Sequence, residues 1–283
     1  MSNTQSSGDF VGANKYILDS ELAQIVNVSM KLEMPLLLKG EPGTGKTMLA
    51  HAIAENLKMP LIVLNVKSSM KLIETLYQYD TLTRLNDSRF GDSKRDVSNI
   101  EDYIKMGKIG QAFAADQKVV LLIDEIDKAD TDFQDDMLDV LDQMQFDIIE
   151  IDRTMGAKHR PIFIITSNAK KDLSDPFLGR CNFHHIAFPD PKMMRKIINV
   201  HFPDINEKLA ENAIDHFYKL REIEGIEKRP ATRELINWIR ALSSDPDFKG
   251  GEIIKKEVPF LGVLFKKSND FSRASNSAKR TRA

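Results

Sequence analysis

At 283 residues, with 42% hydrophobic and 29% charged side chains, the chain is long enough to bury a core without disulfide or metal staples. Its 40 basic and 42 acidic side chains leave a formal charge of -2, so the balance gives no global reason to expect nucleic acid or a membrane surface as partner. A lone cysteine, Cys181, rules out an internal disulfide. No apolar run approaches the roughly 20 residues needed to cross a bilayer. Residues 1–9 lack the apolar stretch of a signal peptide, and a cytoplasmic location is expected.

In chain order, residues 1–9 are small and polar and read as flexible, and Tyr16 suits either a core role or a place near a bound base. The apolar run Leu36–Leu38 predicts a strand, and Gly40-Glu41-Pro42-Gly43-Thr44-Gly45-Lys46-Thr47 follows it directly. This octet fits the pattern G-x-x-x-x-G-K-[ST]. Leu49, Ile53 and Leu57 then recur every four residues, which predicts a helix from Met48. The chemistry of a phosphate cradle requires that context. Glycines let backbone N–H groups turn inward around phosphate oxygens, and a helix N-terminus adds partial positive charge. Lys46 is placed to neutralise terminal phosphates, Thr47 to offer its hydroxyl to Mg²⁺, and Met48 joins the octet as a nucleotide contact. An incidental glycine-rich turn would not need both the strand and the helix.

Leu61–Val66 predicts a second strand. Residues 67–108 then break the alternation, with helix-like pieces at 70–77 and 100–106, and read as an insertion. The third run, Val119–Ile123, ends on Asp124 and Glu125. Carboxylates after a buried strand lie at the carboxyl edge of the sheet, where ligands of open α/β folds bind. Asp124 is the candidate for the Mg²⁺ shell and Glu125 for the general base that polarises a water. Asp127, Asp130 and Asp132 read as capping or surface charges, and Asp130 or Thr131 caps a helix whose apolar face is Phe133, Met137, Val140, Leu141 and Met144. The fourth run, Ile162–Thr166, leads to Asn168, which on residue type alone is either a water-orienting amide or a turn residue.

His184–Phe188 predicts the fifth strand, on which His184 and His185 point to opposite faces and so cannot share a metal ion. Beyond Pro189 and Pro191 the pattern is helical only, at about 192–200, 207–223 and 232–242, with Trp238 packing inside and Thr232 capping the last. Residues 266–283 are basic and polar and read as a flexible tail. Strand–helix alternation followed by helices predicts a layered α/β domain and a smaller all-helical one.

These elements in this order resemble the AAA+ ATPases, and their wording resembles the MoxR family within the clade that carries an insertion in the second helix. The resemblance rests on the octet, on Leu-Ile-Asp-Glu-Ile-Asp-Lys-Ala at 122–129 and on Ile-Ile-Thr-Ser-Asn at 164–168. Asp-Pro-Phe-Leu-Gly-Arg-Cys at 175–181 and Arg-Pro-Ala-Thr-Arg-Glu-Leu at 229–235 extend it, so that it covers about 16–242. It implies a P-loop NTPase core of three layers with a five-stranded parallel sheet at 10–190, a helical lid at 191–265 and a hairpin at 148–160 ahead of the sensor strand. It also implies Asn168 as sensor 1, Arg180 as the arginine finger that reaches a neighbouring subunit's nucleotide, and Arg233 as sensor 2. Some relatives carry Arg where this chain has Gly179. ATP and Mg²⁺ are the implied cofactors. The implied partners are copies of the chain in a ring, usually a hexamer, and a protein client, often with a von Willebrand factor A domain protein. A nucleic-acid-stimulated motor and a nucleotide-gated scaffold are the competing readings.

Overall fold

The computed structural model of the chain describes Phe10 and residues 16–90, 95–168, 171–248 and 258–280. The expectation for residues 1–9 lies outside the described residues. The chain divides into two compact units, one of residues 1–40 and 46–186, the other of 41–45 and 187–283.

The first unit opens with α1 (Ser20–Leu32), β1 (Leu36–Lys39), α2 (Lys46–Leu57) and β2 (Leu61–Asn65). The insertion follows: α3 (Leu72–Leu76), β3 (Tyr77–Tyr79), α4 (Thr81–Phe90), a 3-10 turn at Ile100–Tyr103 and β4 (Ile104–Met106). Next come α5 (Lys108–Ala114), β5 (Val120–Asp124), a 3-10 turn at Ile126–Lys128 and α6 (Thr131–Gln143). β6 (Gln145–Ile148), a 3-10 turn at Ile149–Ile151 and β7 (Arg153–Gly156) precede β8 (Ile162–Ser167), α7 (Asp175–Gly179) and β9 (Asn182–His185). The five main strands form one parallel sheet in the order β2-β5-β8-β1-β9.

Alternation along the strands splits the apolar side chains between the two faces. Leu36, Leu38, Val120, Leu122, Ile162 and Ile164 join Leu22 and Val26 of α1 and Leu49 and Ile53 of α2 in one cluster. Leu37, Leu121, Ile123, Phe163 and Ile165 join Ile109 and Phe113 of α5 and Phe133, Met137 and Leu141 of α6 in the other. Both faces of the central strands are covered, which is why their sequences are unbroken apolar runs. Each such side chain contributes about 2 kcal/mol by leaving water. The result is a three-layer α/β core.

Asp130, not Thr131, caps α6, its carboxylate accepting from Phe133 N at 2.9 Å. The fifth strand lies two residues earlier than expected. β9 is an edge strand that pairs only with β1, and the register ends at Lys39↔His185, where β1 gives way to the loop. Ile186 packs beneath the sheet instead of extending it. The piece at 100–106 is not a helix throughout: Tyr77↔Met106 pairing draws its second half into an antiparallel ladder with β3. The hairpin is β6–β7, starting at Gln145, and Tyr77 anchors its turn by accepting from Ile149 N at 3.1 Å.

The second unit holds α8 (Pro191–His201), α9 (Glu207–Arg221), α10 (Thr232–Ser244), α11 (Leu261–Leu264) and α12 (Ser268–Arg280). Met194, Ile198, Leu209, Phe217, Leu235, Trp238 and Leu264 form its core. Trp238 is fully buried and its indole N–H donates to the Pro259 carbonyl at 2.7 Å.

Two expectations fail here. Within the stretch read as a flexible basic tail, residues 268–280 form α12, with Asp270 and Ala274 buried, and residues 281–283 lie outside the described residues. Asp270 accepts from the backbone N–H groups of Glu227 at 2.8 Å and Lys228 at 3.0 Å, and Lys267 pairs with Glu227 at 2.6 Å. A helix pinned by one carboxylate and one alanine carries no hydrophobic stripe for periodicity to detect. Thr232 is likewise not the cap of α10 but its first residue; Glu234 reaches back to Ala231 N at 3.0 Å, and the buried Thr232 hydroxyl has no partner among the described residues.

Candidate nucleotide site

The central strands end side by side, and each delivers polar groups to the same edge. β1 leads into Gly40, β8 into Ser167 and Asn168, and β5 into Asp124 and Glu125. Gly40 N donates to the Ser167 carbonyl at 3.3 Å, which joins the first turn of the octet to the neighbouring strand end.

Within the octet, Gly43 and Gly45 have φ of 82° and 92°, a region that side-chain-bearing residues enter at a cost. A Cβ on Gly43 would also stand 2.6 Å from the Ala231 Cβ. The loop therefore needs glycine for both its path and its clearance. Thr44 caps the turn, its hydroxyl donating to the Glu41 carbonyl at 3.0 Å. Lys46, only 6% exposed, donates to the Gly40 carbonyl at 2.8 Å, so its ammonium is curled within the loop it belongs to. Met48 is half exposed on the first turn of α2.

Thr47 donates to Asp124, at 3.1 Å from Oδ1 and 3.3 Å from Oδ2. A hydroxyl and a carboxylate in that arrangement are hard oxygen donors of the kind Mg²⁺ takes when phosphates and waters complete its shell. The donor set fits that ion, and Gly43, Gly45 and Lys46 fit a polyphosphate.

Thr166 ties the two acids together. Its hydroxyl donates to Asp124 Oδ1 at 2.5 Å and accepts from Glu125 N at 2.9 Å. Glu125 has φ of 59° and ψ of 50°, a left-handed conformation unusual for a side-chain-bearing residue. The turn directs its carboxylate toward Asn168, whose Nδ2 donates to Oε1 at 2.9 Å. Lys128, three residues on across the 3-10 turn, pairs with Oε2 of the same carboxylate. That hydrogen bond and charge hold the Lys128 ammonium above the usual lysine range.

Asp127 corrects the sequence reading. It is buried, 2% exposed, and accepts from Asn168 N at 3.1 Å, so it fixes the end of β8 instead of facing water. Thr166, Asp127 and Lys128 were not singled out from sequence as site residues. A hydroxyl closing an apolar strand is the one signal that marks Thr166; Asp127 and Lys128 sit among other charges with nothing to distinguish them.

Arg180 follows α7 and its Nε donates to Asp142 at 2.6 Å, with Nη1 on the Pro176 carbonyl at 3.2 Å. Arg233 stands exposed in the first turn of α10, in the second unit. That unit also contains an arginine that nothing in the residue pattern singles out. Arg221, 8% exposed, lies 3.5 Å over the Phe188 ring, donates to the Pro230 carbonyl, and pairs with loop residue Glu41 at 2.8 Å.

Burial pushes the Cys181 thiol up to about 12, and among the described residues no cluster of three or more His, Cys, Asp or Glu side chains is placed to hold an ion. Burial likewise raises the Tyr16 phenol, which packs beside Phe10 and Leu22. No helix among the described residues is long and apolar enough to cross a membrane.

A family model described as "ATPase family associated with various cellular activities (AAA)" matches residues 36–189, more than half of the chain. The chain belongs to the AAA family. The matched span runs from β1 through the end of the sheet and contains every strand-end residue described above. Among curated proteins, the Lon protease of Mycoplasma mobile is 33% identical over 261 residues, covering 83% of this chain and 29% of that protein. The ATP-dependent zinc metalloprotease FtsH of Leuconostoc mesenteroides is 25% identical over 200 residues, covering 67% of this chain and 24% of that protein. The chain thus spans under a third of the length of either relative. Among solved structures, a mutant of the Thermotoga maritima protein RuvB superposes with a TM-score of 0.53 at 15% identity, over 94% of this chain and 72% of that one. That likeness is one of fold, the P-loop AAA fold with its five-stranded parallel sheet.

Proposed function

We propose that this AAA protein is a MoxR-type ATPase that hydrolyses ATP in an oligomeric ring and uses the energy to remodel or activate a protein client. The observation that carries the hydrolytic part is the hydrogen bond from Asn168 Nδ2 to Glu125 Oε1, one strand away from the Thr47–Asp124 pair. A protein that only held nucleotide would have no use for a carboxylate and an amide aligned beside the ion's donors. In this reading Lys46 neutralises phosphate oxygens, with Gly40, Glu41, Pro42, Gly43, Thr44, Gly45 and Met48 around them, and Thr47 and Asp124 hold Mg²⁺. When bound, ATP supplies the phosphoanhydride bond that is cleaved. Glu125 takes the proton of the attacking water, and Asn168 keeps both carboxylate and water in line.

Arg180 is proposed to act on the nucleotide of a neighbouring subunit. Its exposed position suits that role, since the Asp142 pair is a surface ion pair of small net value. Arg233, exposed at the first turn of α10, is proposed as sensor 2. The MoxR assignment is supported by the quoted motifs, by the insertion that carries β3, α4 and β4, and by the hairpin β6–β7 ahead of β8. A protein client is favoured over nucleic acid because the relatives are named as proteases and the formal charge is only -2. A von Willebrand factor A domain partner belongs to the same proposal. We divide the chain for this purpose into the AAA core at 10–190 and a helical lid from 191 that takes in α12.

The test is turnover of wild type, Glu125→Gln and Arg180→Ala with and without Mg²⁺. Glu125→Gln should bind ATP normally and lose about two or more orders of magnitude in kcat, the scale of general base catalysis. Arg180→Ala and Glu125→Gln subunits mixed together should recover part of the activity neither has alone. Equal turnover in all three proteins would sink the assignment.

A further inference from the structure

We propose that Thr232 is a further nucleotide-binding residue, its hydroxyl donating to a phosphate oxygen of the nucleotide held by the octet. The inference rests on the reading of that octet as a phosphate loop. Three observations converge on the start of α10, and the first is place. Residues 41–45, the middle of the octet, belong to the same compact unit as α10. A Cβ on Gly43 would stand 2.6 Å from the Ala231 Cβ and 3.2 Å from Thr232 N. The loop backbone therefore runs against the first turn of this helix, with no room for a side chain between them.

The second observation is the cap. α6, α8 and α9 each begin behind an Asp or Asn whose side chain accepts from the N–H of the third helical residue. Asp130 accepts from Phe133 at 2.9 Å, Asp190 from Met193 at 2.7 Å and Asn206 from Leu209 at 3.1 Å. In α10 that position is Ala231, whose methyl accepts nothing. Glu234 reaches back to Ala231 N at 3.0 Å, which fixes the helix start without giving the N–H groups of its first turn an acceptor. Such an end carries partial positive charge and suits the oxygens of an anion. The third observation is the hydroxyl itself. Thr232 is only 7% exposed, and its Oγ1 has no hydrogen-bond partner among the described residues. A buried hydroxyl left in that condition costs stability that a valine of the same shape would not. Side chains lean toward the N-terminus of their helix, so the one on the first residue overhangs the end that Gly43 lies against. A phosphate oxygen lying along the loop there meets the hydroxyl and the first-turn N–H groups together. The contact is distinct from the charge of Arg233, which is exposed.

The test uses the full chain and ADP with Mg²⁺. Thr232→Val keeps the shape and deletes the hydroxyl. In calorimetric titration it should weaken ADP binding by about ten- to a hundredfold, the scale of one hydrogen bond to a charged group. Thr232→Ser, which restores the hydroxyl, should bind nearly as wild type does. With no nucleotide added, the thermal midpoint of Thr232→Val should equal or exceed that of wild type, because no bond within the chain is lost. A hydroxyl with a merely structural role would give the reverse, a lower midpoint with affinity unchanged, and that result would overturn the proposal. At saturating ADP the phosphorus NMR resonances of the bound nucleotide should differ between wild type and Thr232→Val. Identical resonances would overturn the assignment to phosphate. Failure of wild type to bind ADP at all would overturn the reading of the octet and the proposal with it, whereas equal binding by wild type and Thr232→Val overturns the proposal alone.

Discussion

The two units place their buried charges differently. In the first, Lys46, Asp127, Thr166 and Ser167 are nearly inaccessible, yet all lie at or just beyond the carboxyl ends of apolar strands. In the second, the buried Arg221 and Asp270 sit on helices and satisfy themselves on loop backbone, Arg221 at Pro230 and Asp270 at Glu227 and Lys228. A parallel sheet gathers its strand ends along one edge, so order in sequence becomes proximity in space. Helices project in all directions, so a buried charge there serves its local packing. The difference predicts that disabling the first set costs function and disabling the second costs stability.

The sharpest break in that comparison is Lys46→Ala. On the proposed reading it removes a charge-assisted contact to phosphate, worth about 1.5–3 kcal/mol per hydrogen bond, so nucleotide affinity should fall by about two orders of magnitude. Calorimetric titration with ADP checks this, and the thermal midpoint should hardly move. Next in size is Arg221→Ala. It deletes the stacking on Phe188, the bond to the Pro230 carbonyl and the pair with Glu41, and the second unit should lose about 3 kcal/mol. Trp238, the single tryptophan, lies in the core of that unit and reports its urea unfolding by fluorescence. Arg221→Lys should recover little, since a lysine cannot present a planar fork to ring, carbonyl and carboxylate together. A loss below about 1 kcal/mol for Arg221→Ala would place that arginine with ordinary surface charges.

The same contrast explains what could be read in advance. That the octet, Asp124, Glu125 and Asn168 share one edge was legible because each follows an apolar run, and a strand end has only one edge to point to. The central strands were legible for the same reason. β9 was placed too late because its limit is set by the length of β1, a property of its neighbour and not of its own residues. Asp127 and Lys128 were illegible because they lie in a turn crowded with charge, where only the fold decides that one is buried and the other paired. α12 was illegible because its inward positions are Asp270, Ala274 and Ser277, spaced as a helix requires but too small or too polar to stand out.

Smaller effects test that last point. Ala274 is fully buried, so Ala274→Leu should overpack the interface and cost the second unit about 1–2 kcal/mol, seen as a lower urea midpoint from Trp238 fluorescence. A neutral result would mean that α12 lies loosely on its unit and that the flexible reading was nearer the truth.

The smallest expected effect is one of pH. The backbone N–H of Glu227, then that of Lys228, and beyond them the charges of Lys267 and Arg273 hold the Asp270 carboxyl below the usual carboxylate range. A group whose folded value is depressed adds stability that is complete above its unfolded value, about 3.9 for aspartate, and that disappears as pH falls through the folded value. The wild-type second unit should therefore weaken more steeply below about pH 4 than Asp270→Asn, which has no such titration to lose. The other carboxylates are common to the two proteins and cancel in the difference, except Glu227, whose titration Asp270 itself influences. Amide exchange along α12, followed from pH 5 downward in both, gives the comparison directly. Parallel curves would show that the carboxylate's charge does not hold the helix, leaving Ala274 and its neighbours to do so by packing alone.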